Sequence, residues 1–329
     1  MKSTRILVAV AAIASLTACT KDTSTPKTDA DPSTVKLLAY DAFTPEKGIF
    51  DDFTEQTGAT VKIITSGDTG SMVSKAILTA GKPEADVMWG IDNTFLSRAQ
   101  KANLLNSYEP VDEGDVCVNY DKKWFAENKV PVPTTLEQLA QPAYKNLLAV
   151  QDPVASSPGL AFLLATISQL GEGLWQSYWK DLKANGVHIA PDWTVAYTQD
   201  FTHSGGKYPL VVSYGSSPPA EAFYSEDWTV APTTGVIEAT CFHQTEYVGI
   251  MRGTSNPNIA QKLVDYLLAK KFQESMPLSL FVFPVNKEAQ LPKLFQDFAV
   301  KPANPLTLKP EDIEKNRETW LDAWRSIAL

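Results

Sequence analysis

The sequence predicts an α/β protein of two lobes, each a mostly parallel sheet flanked by helices, with two hinge crossings between them. Three observations carry that expectation. Short β-like runs alternate with helical patterns, roughly 295 residues follow the N-terminal leader, and one strand-and-helix set interrupts another that later resumes.

Val35-Lys36-Leu37-Leu38-Ala39-Tyr40 reads as a strand and Ile49 through Gln56 as a helix; Thr60-Val61-Lys62-Ile63-Ile64 is strand-like again. Ser71 to Ala80 places Met72, Val73, Ala76, Ile77 and Ala80 on one helical face, ahead of the apolar strand Ala85-Asp86-Val87-Met88-Trp89. This βαβαβ order implies a mostly parallel sheet. A second set begins near Tyr120, with the strand Leu147-Leu148-Ala149-Val150 and a helix from Gly159 to Leu170. The strand Leu210-Val211-Val212-Ser213-Tyr214 then enters the turn Gly215-Ser216-Ser217-Pro218-Pro219. Tyr247-Val248-Gly249-Ile250 and the helix Ile259 to Ala269 read as the first set resuming, although the pattern also allows two sequential domains. The expected division is 35–118 plus 242–300 for lobe 1, 119–241 for lobe 2, and 301–329 for a C-terminal helical segment.

The first residues carry an address. Lys2 and Arg5 precede the apolar run Ile6 to Leu16, and Leu16-Thr17-Ala18-Cys19 follows as a lipobox, so residues 1–18 are expected to be a cleaved signal and Cys19 a lipidated residue. The run is too short to span a bilayer, whereas two acyl chains on Cys19 would anchor the protein stably. Residues 19–34 would form the lipidated cysteine and a tether: from Thr20 to Thr34 only Ala30 is hydrophobic, too little to offset the entropy of ordering. The chain is thus expected to be exported and held at the cell membrane, on its periplasmic or extracellular face.

The formal charge is −9, and losing Lys2 and Arg5 with the signal would leave −11. An acidic chain of this kind is a poor nucleic-acid binder and attracts cations instead. Of the three cysteines, Cys117 and Cys241 remain after Cys19; in an oxidising compartment they form either one disulfide or two buried thiols.

In open α/β sheets, ligands collect where strands end. Five corners stand out: Tyr40-Asp41-Ala42-Phe43, Ser66 to Ser71, Gly90-Ile91-Asp92-Asn93, Asp152 to Gly159, and Ser213 to Pro218. Ser156, Ser157 and Gly159, like Gly70 and Ser71, precede expected helices, whose free N–H groups either receive an anion or are simply capped. Asp41, Asp68 and Asp92 lie at strand ends, available to a positive ligand or to the next helix as caps; capping is favoured for Asp92 by its neighbours Asn93 and Thr94. Tyr40, Phe43, Trp193, Tyr197, Tyr214 and Phe281 bring flat rings to the same corners, which suits a planar cationic ring. Trp193 and Tyr197, spaced i and i+4, share a helical face, a spacing equally typical of core packing.

This ordered series, Tyr40-Asp41-Ala42-Phe43, Gly67-Asp68 before a helix, Ala85-Asp86-Val87 leading to Gly90-Ile91-Asp92-Asn93, Gln151-Asp152-Pro153 with Ser156 to Leu160, and Ser213-Tyr214 with Ser217-Pro218, resembles the thiamine-binding proteins of bacterial ABC importers. Pro277 to Val285 and Arg317 to Trp324 are similar too. The resemblance implies a type II periplasmic-binding-protein fold and a ligand, thiamine or a thiamine phosphate, held between the lobes of a monomer and passed to an ABC permease. It implies that Tyr40 stacks on a ring and that Gly67, Asp68, Thr69, Ser156, Trp193 and Tyr214 surround the hydroxyethyl or phosphate end, with Phe281 where the family can place a Trp. The chain departs from the pattern after Ser217-Pro218, where Pro219-Ala220-Glu221 replaces a second stacking Tyr and Phe223 and Tyr224 follow, and in a shorter stretch from Leu96 to Tyr120.

Other readings compete. A ferric carrier needs hard oxygen ligands such as adjacent tyrosines, and no Tyr-Tyr pair occurs; His188, His203 and His243 lack metal-ligand spacing. A polyamine or other small cation ranks between iron and thiamine. An enzyme, such as a secreted hydrolase or a thiamine-degrading one, would need an activated nucleophile; neither Cys117 nor Cys241 has such a setting, and no Gly-x-Ser-x-Gly elbow, metal cluster or phosphate loop is present. No catalytic role, cofactor or metal is expected.

Overall fold

A computed structural model describes residues 33–225 and 230–329. The signal (1–18), Cys19 and nearly all of the tether lie outside the described residues.

The chain first builds β1 (Thr34–Ala39), α1 (Asp51–Thr57), β2 (Thr60–Thr65), α2 (Thr69–Leu78), β3 (Val87–Asp92) and α3 (Leu96–Lys101). The long strand β4 (Leu105–Asp121) follows, then α4 (Lys122–Asn128), α5 (Leu136–Leu139), β5 (Leu148–Gln151), α6 (Ser157–Leu170), α7 (Trp175–Ala184) and β6 (His188–Ala190). After the single turn α8 (Trp193–Val195) come β7 (Leu210–Tyr214), α9 (Pro218–Tyr224) and a second long strand, β8 (Thr234–Met251). The chain ends through α10 (Pro257–Leu268), α11 (Lys270–Ser279), β9 (Phe283–Pro284), α12 (Lys293–Phe298) and α13 (Pro310–Ala328).

The strands hydrogen-bond in the order β2-β1-β3-β8-β4-β7-β5-β6, with β9 added to β4. Pairing is parallel at both ends, where helices make the crossovers, and antiparallel in the middle. β4 and β8 are the two passages between these ends. Leu105 to Asp112 and Glu246 to Met251 pair beside β3, whereas Val116 to Asp121 and Thr234 to Phe242 pair beside β7. A disulfide joins Cys117 to Cys241 across the two passages, with Cα atoms 4.1 Å apart. It lies where the register shifts between Val116 and Val118.

The periodicity of two along the strands feeds cores on both faces. Val35, Leu37 and Ala39 of β1 join Val87 and Trp89 of β3 in one core, closed by Phe53 of α1 and by Leu263, Leu267, Phe272 and Met276 of α10 and α11. The helices that follow β8 thus return to the first set of strands. Leu38, Met88 and Ile91 face the other way, into a core with α2, α6, α7 and α13, where Trp179 and Trp324 meet edge-on at 5.7 Å. The stretch from Leu96 to Tyr120 is α3 followed almost directly by β4, the chain reversing at Asn103, whose φ is +51°. Two strands are longer than the local pattern marks. Tyr120, where the second set was expected to begin, stands near the end of a strand of 17 residues, and Tyr247-Val248-Gly249-Ile250 is the last part of one of 18. Among the described residues no helix is long and apolar enough to cross a membrane.

Candidate functional site

A cavity of about 830 Å³ opens past the ends of β1 and β7 and reaches down to β8, a size typical of small-molecule sites. Aromatic residues wall it. Tyr40 follows β1 directly, and its ring lies over the backbone of β3 at Gly90; a Cβ there would come within 2.3 Å of the ring, so the approach requires glycine. Trp193 opens α8, capped by Asp192 through Val195 N–H at 2.8 Å. Its indole Nε1 donates to Ser213 Oγ at 3.0 Å, and Ser213 lies 2.8 Å from Ser217 Oγ, so the ring is fixed by β7 and its turn. Tyr197 stacks on Trp193 at 5.1 Å and 11°, and Tyr214 leans on the same ring at 6.4 Å.

Phe281 stands at the mouth, near Phe223 at 6.0 Å and Tyr224 at 5.8 Å. Its φ is +55°, because its N–H caps Met276 O at the end of α11, a position that normally takes glycine. Holding Phe in the left-handed region costs about 1–2 kcal/mol.

The carboxylates around the cavity divide by how well they are satisfied. Asp41 Oδ1 accepts Gly67 N–H at 2.9 Å and braces the neighbouring corner, which Thr69 Oγ1 ties to Gly90 O at 3.0 Å. Asp68 caps α2 through Thr69 N–H at 2.7 Å and accepts Trp193 N–H at 3.3 Å. Burial raises its carboxyl above the ordinary range, and bonds from Ser156 and from the backbone of Thr69, Trp193 and Ser157 oppose the rise.

Beneath these groups, three acids form one row across adjacent strands. Asp92 of β3, Glu246 of β8 and Asp112 of β4 are direct register partners and therefore share a face. All are buried, with exposures of 0, 5 and 1%. Asp92 is well supplied: Oδ1 accepts Thr94 N–H, Thr94 Oγ1 and Phe95 N–H at 2.7–3.0 Å, and Gln244 donates to Oδ2. Glu246 accepts the Tyr40 hydroxyl at 3.1 Å, and its carboxyl and that of Asp112 hydrogen-bond each other; among the described residues no N–H or other hydroxyl donor reaches Asp112 Oδ2. Burial drives the Asp112 carboxyl up to about 8, with repulsion from Glu113 and Asp92 adding to the rise. Glu246 is held well above the carboxylate range by burial, then by the charges of Asp112 and Asp92.

Of the residues singled out in the sequence, Tyr40, Asp41, Gly67, Asp68, Thr69, Trp193, Tyr197, Tyr214 and Phe281 line the cavity, and Asp92 and Ser156 do not. Asp92 belongs to β3 itself, where it caps the turn that follows and holds Gln244. Ser156 is fully buried as the N-cap of α6, and Ser157 beside it reaches the cavity instead. The start of α6, which the sequence left open between an anion site and a plain cap, is capped by Ser156 and turns donors of Ser156 and Ser157 to Asp68. Trp193 and Tyr197 do not share a regular helix: one α-turn passes into a π-turn over Ala196–Asp200, and the rings still stack. Sequence reasoning missed Glu246, Asp192, Glu221 and Tyr224 as lining residues. Tyr224 was within reach, standing after the Ser217-Pro218 corner; Glu246 carried no signal, since it stands in the polar stretch between Phe242 and Tyr247 with no motif around it.

A family model described as bacterial extracellular solute-binding protein matches residues 36–274. The thiamine-binding periplasmic protein of Brucella suis biovar 1 (strain 1330) is 27% identical over 316 residues, covering 88% of this chain and 91% of the relative. The protein of the same name from Escherichia coli (strain K12) is 25% identical, over 88% of this chain and 91% of its own length. Among solved structures, a periplasmic thiamin binding protein superposes with a TM-score of 0.80 at 23% identity, covering 90% of this chain and 96% of that one. That likeness establishes the two-lobed periplasmic-binding fold, a mixed α/β sheet flanked by helices.

Proposed function

We propose, starting from the fact that the chain belongs to the bacterial extracellular solute-binding proteins, that it captures thiamine for an ABC importer. One observation carries the reading. The cavity is walled by Tyr40, Trp193, Tyr197 and Tyr214 and lined by the carboxylates of Asp41, Asp68, Asp192, Glu221 and Glu246, with no Lys or Arg among the described lining residues. Flat rings beside a set of acidic side chains suit a planar cationic ring, each good contact contributing about 0.5–2 kcal/mol. The names of the relatives support the same ligand.

In this reading the protein is exported, carries a lipid on Cys19, and works as a monomer that binds its ligand without turning it over. The lobes, 35–118 plus 242–300 and 119–241, close about the ligand and then dock on the permease. The placement of β4 and β8 as the passages between the two ends of the sheet supports a hinge there. The test is calorimetric titration with thiamine while tryptophan fluorescence is followed, with ferric ion and spermidine as controls. One-to-one thiamine binding is expected, weakened about tenfold or more in Tyr40→Ala and Trp193→Ala. Tight binding of spermidine or ferric ion without thiamine would overturn the assignment.

A further inference from the structure

The carboxyls of Asp112 and Glu246 face each other across the β4/β8 ladder, and only Glu246 reaches the cavity. We propose that the Asp112–Glu246 pair is a proton-for-cation exchange site: a cationic ring arriving over Glu246 replaces a proton held by the pair, and that proton leaves to solvent. Glu246 then selects for positive charge, a role separate from the stacking of the aromatic walls. The inference rests on the thiamine reading for the identity of the cation.

The argument starts from desolvation. Two adjacent buried carboxylates repel each other and lack the water that would stabilise both charges, so the empty pair retains a proton near neutral pH. The surroundings offer no relief. β3 presents Asp92, β4 adds Glu113, the end of β1 presents the Tyr40 phenol, β7 presents Tyr214, and Asp68 caps α2 nearby. Glu113 is itself paired with Lys301 at 3.0 Å. His243, farther along β8, is engaged by Asp115 at 3.1 Å. Arg317 of α13, which senses Asp92, sits over the Phe95 ring and pairs with Glu318. His203, which also lines the cavity, lies 3.8 Å from Glu221. Among the described residues no Lys or Arg pairs with Glu246, and the two buried carboxyls are left to hydrogen-bond each other. A fixed positive charge above Glu246 supplies what is missing and favours the doubly ionised pair.

The sign follows directly. The free pair titrates high, with Asp112 at about 8, and a bound cation lowers that titration. Affinity for a cation should therefore rise as pH rises toward 8 and level off once the empty pair is already ionised, with a slope approaching about tenfold per pH unit for a full proton.

Calorimetry with the purified protein, thiamine as probe and two buffers of different ionisation heat counts the protons directly. The expected result is roughly one proton released per thiamine between about pH 6 and 7.5, reduced to a small fraction in Glu246→Gln and in Asp112→Asn. An isostere whose thiazolium is replaced by a neutral thiophene should bind more weakly and release none. Because the isostere keeps the aminopyrimidine, protons exchanged by that ring appear with both ligands and subtract. Thiamine binding with no proton released and a flat pH profile overturns the exchange site and leaves the thiamine assignment standing. No thiamine binding at any pH overturns both. The unmodified protein alone decides the matter even if either variant fails to fold.

Discussion

Asp92 and Glu246 occupy neighbouring strands in the same row of the sheet, equally removed from water, yet their surroundings differ completely. Asp92 accepts two backbone N–H groups, a hydroxyl and an amide, whereas Glu246 accepts one phenol and faces another acid. Asp68, on the opposite wall, resembles Asp92, with donors from Thr69 and Trp193. Burying an ion costs several kcal/mol unless donors or an opposite charge compensate it. Where the chain supplies several donors, the carboxylate serves as scaffold; Glu246, with one phenol and an acid for neighbours, is the carboxyl for which a role toward the ligand's charge is proposed. The comparison separates the acids that shape the cavity from the one proposed to read the ligand.

Two substitutions probe that separation. Asp68→Ala removes the cap of α2 and strands the donors of Trp193 and Ser156, and should lower the unfolding free energy of the empty protein by about 2 kcal/mol. Glu246→Gln should not lower it at pH 8. A carboxyl whose folded titration lies above its unfolded value is destabilising once pH passes the unfolded value, and the amide removes that penalty. Urea unfolding of both variants checks the pair; equal losses would erase the contrast. The smaller effect belongs to the mouth. Phe281→Gly relieves the left-handed strain and deletes a ring, so the unfolding midpoint should hold or rise while thiamine affinity falls about three- to tenfold. A fall in stability instead would mean that the ring serves packing more than the ligand.

How much of this was legible in the sequence depends on whether the determinant is local. β1, β2 and β7 announce themselves by alternation or apolar runs, and Tyr40, Gly67 and Asp68 by standing at strand ends. At the Gly90 corner the capping reading of Asp92 holds and the ligand reading does not: β3 continues through Asp92, whose carboxylate serves the next turn rather than the cavity. Ser156 misleads: a helix start looks alike whether its donors meet a ligand or, as here, Asp68. The full lengths of β4 and β8 are not marked locally, because polar residues such as Glu109 and Gln244 interrupt their apolar runs, and their mutual pairing is what makes them strand. Glu246 lies beyond any local reading, since its meaning comes from Asp92 and Asp112, 154 and 134 positions earlier in the chain, brought alongside by the sheet.

The most direct test of the account is a two-by-two comparison: affinities of thiamine and of its neutral thiophene isostere for the unmodified protein and for Glu246→Gln at pH 8. If Glu246 reads charge, the unmodified protein prefers thiamine by about 2 kcal/mol, roughly 30-fold, and the preference collapses to within about threefold in the variant. A preference of the same size in both proteins would contradict the account and assign recognition to the aromatic walls alone.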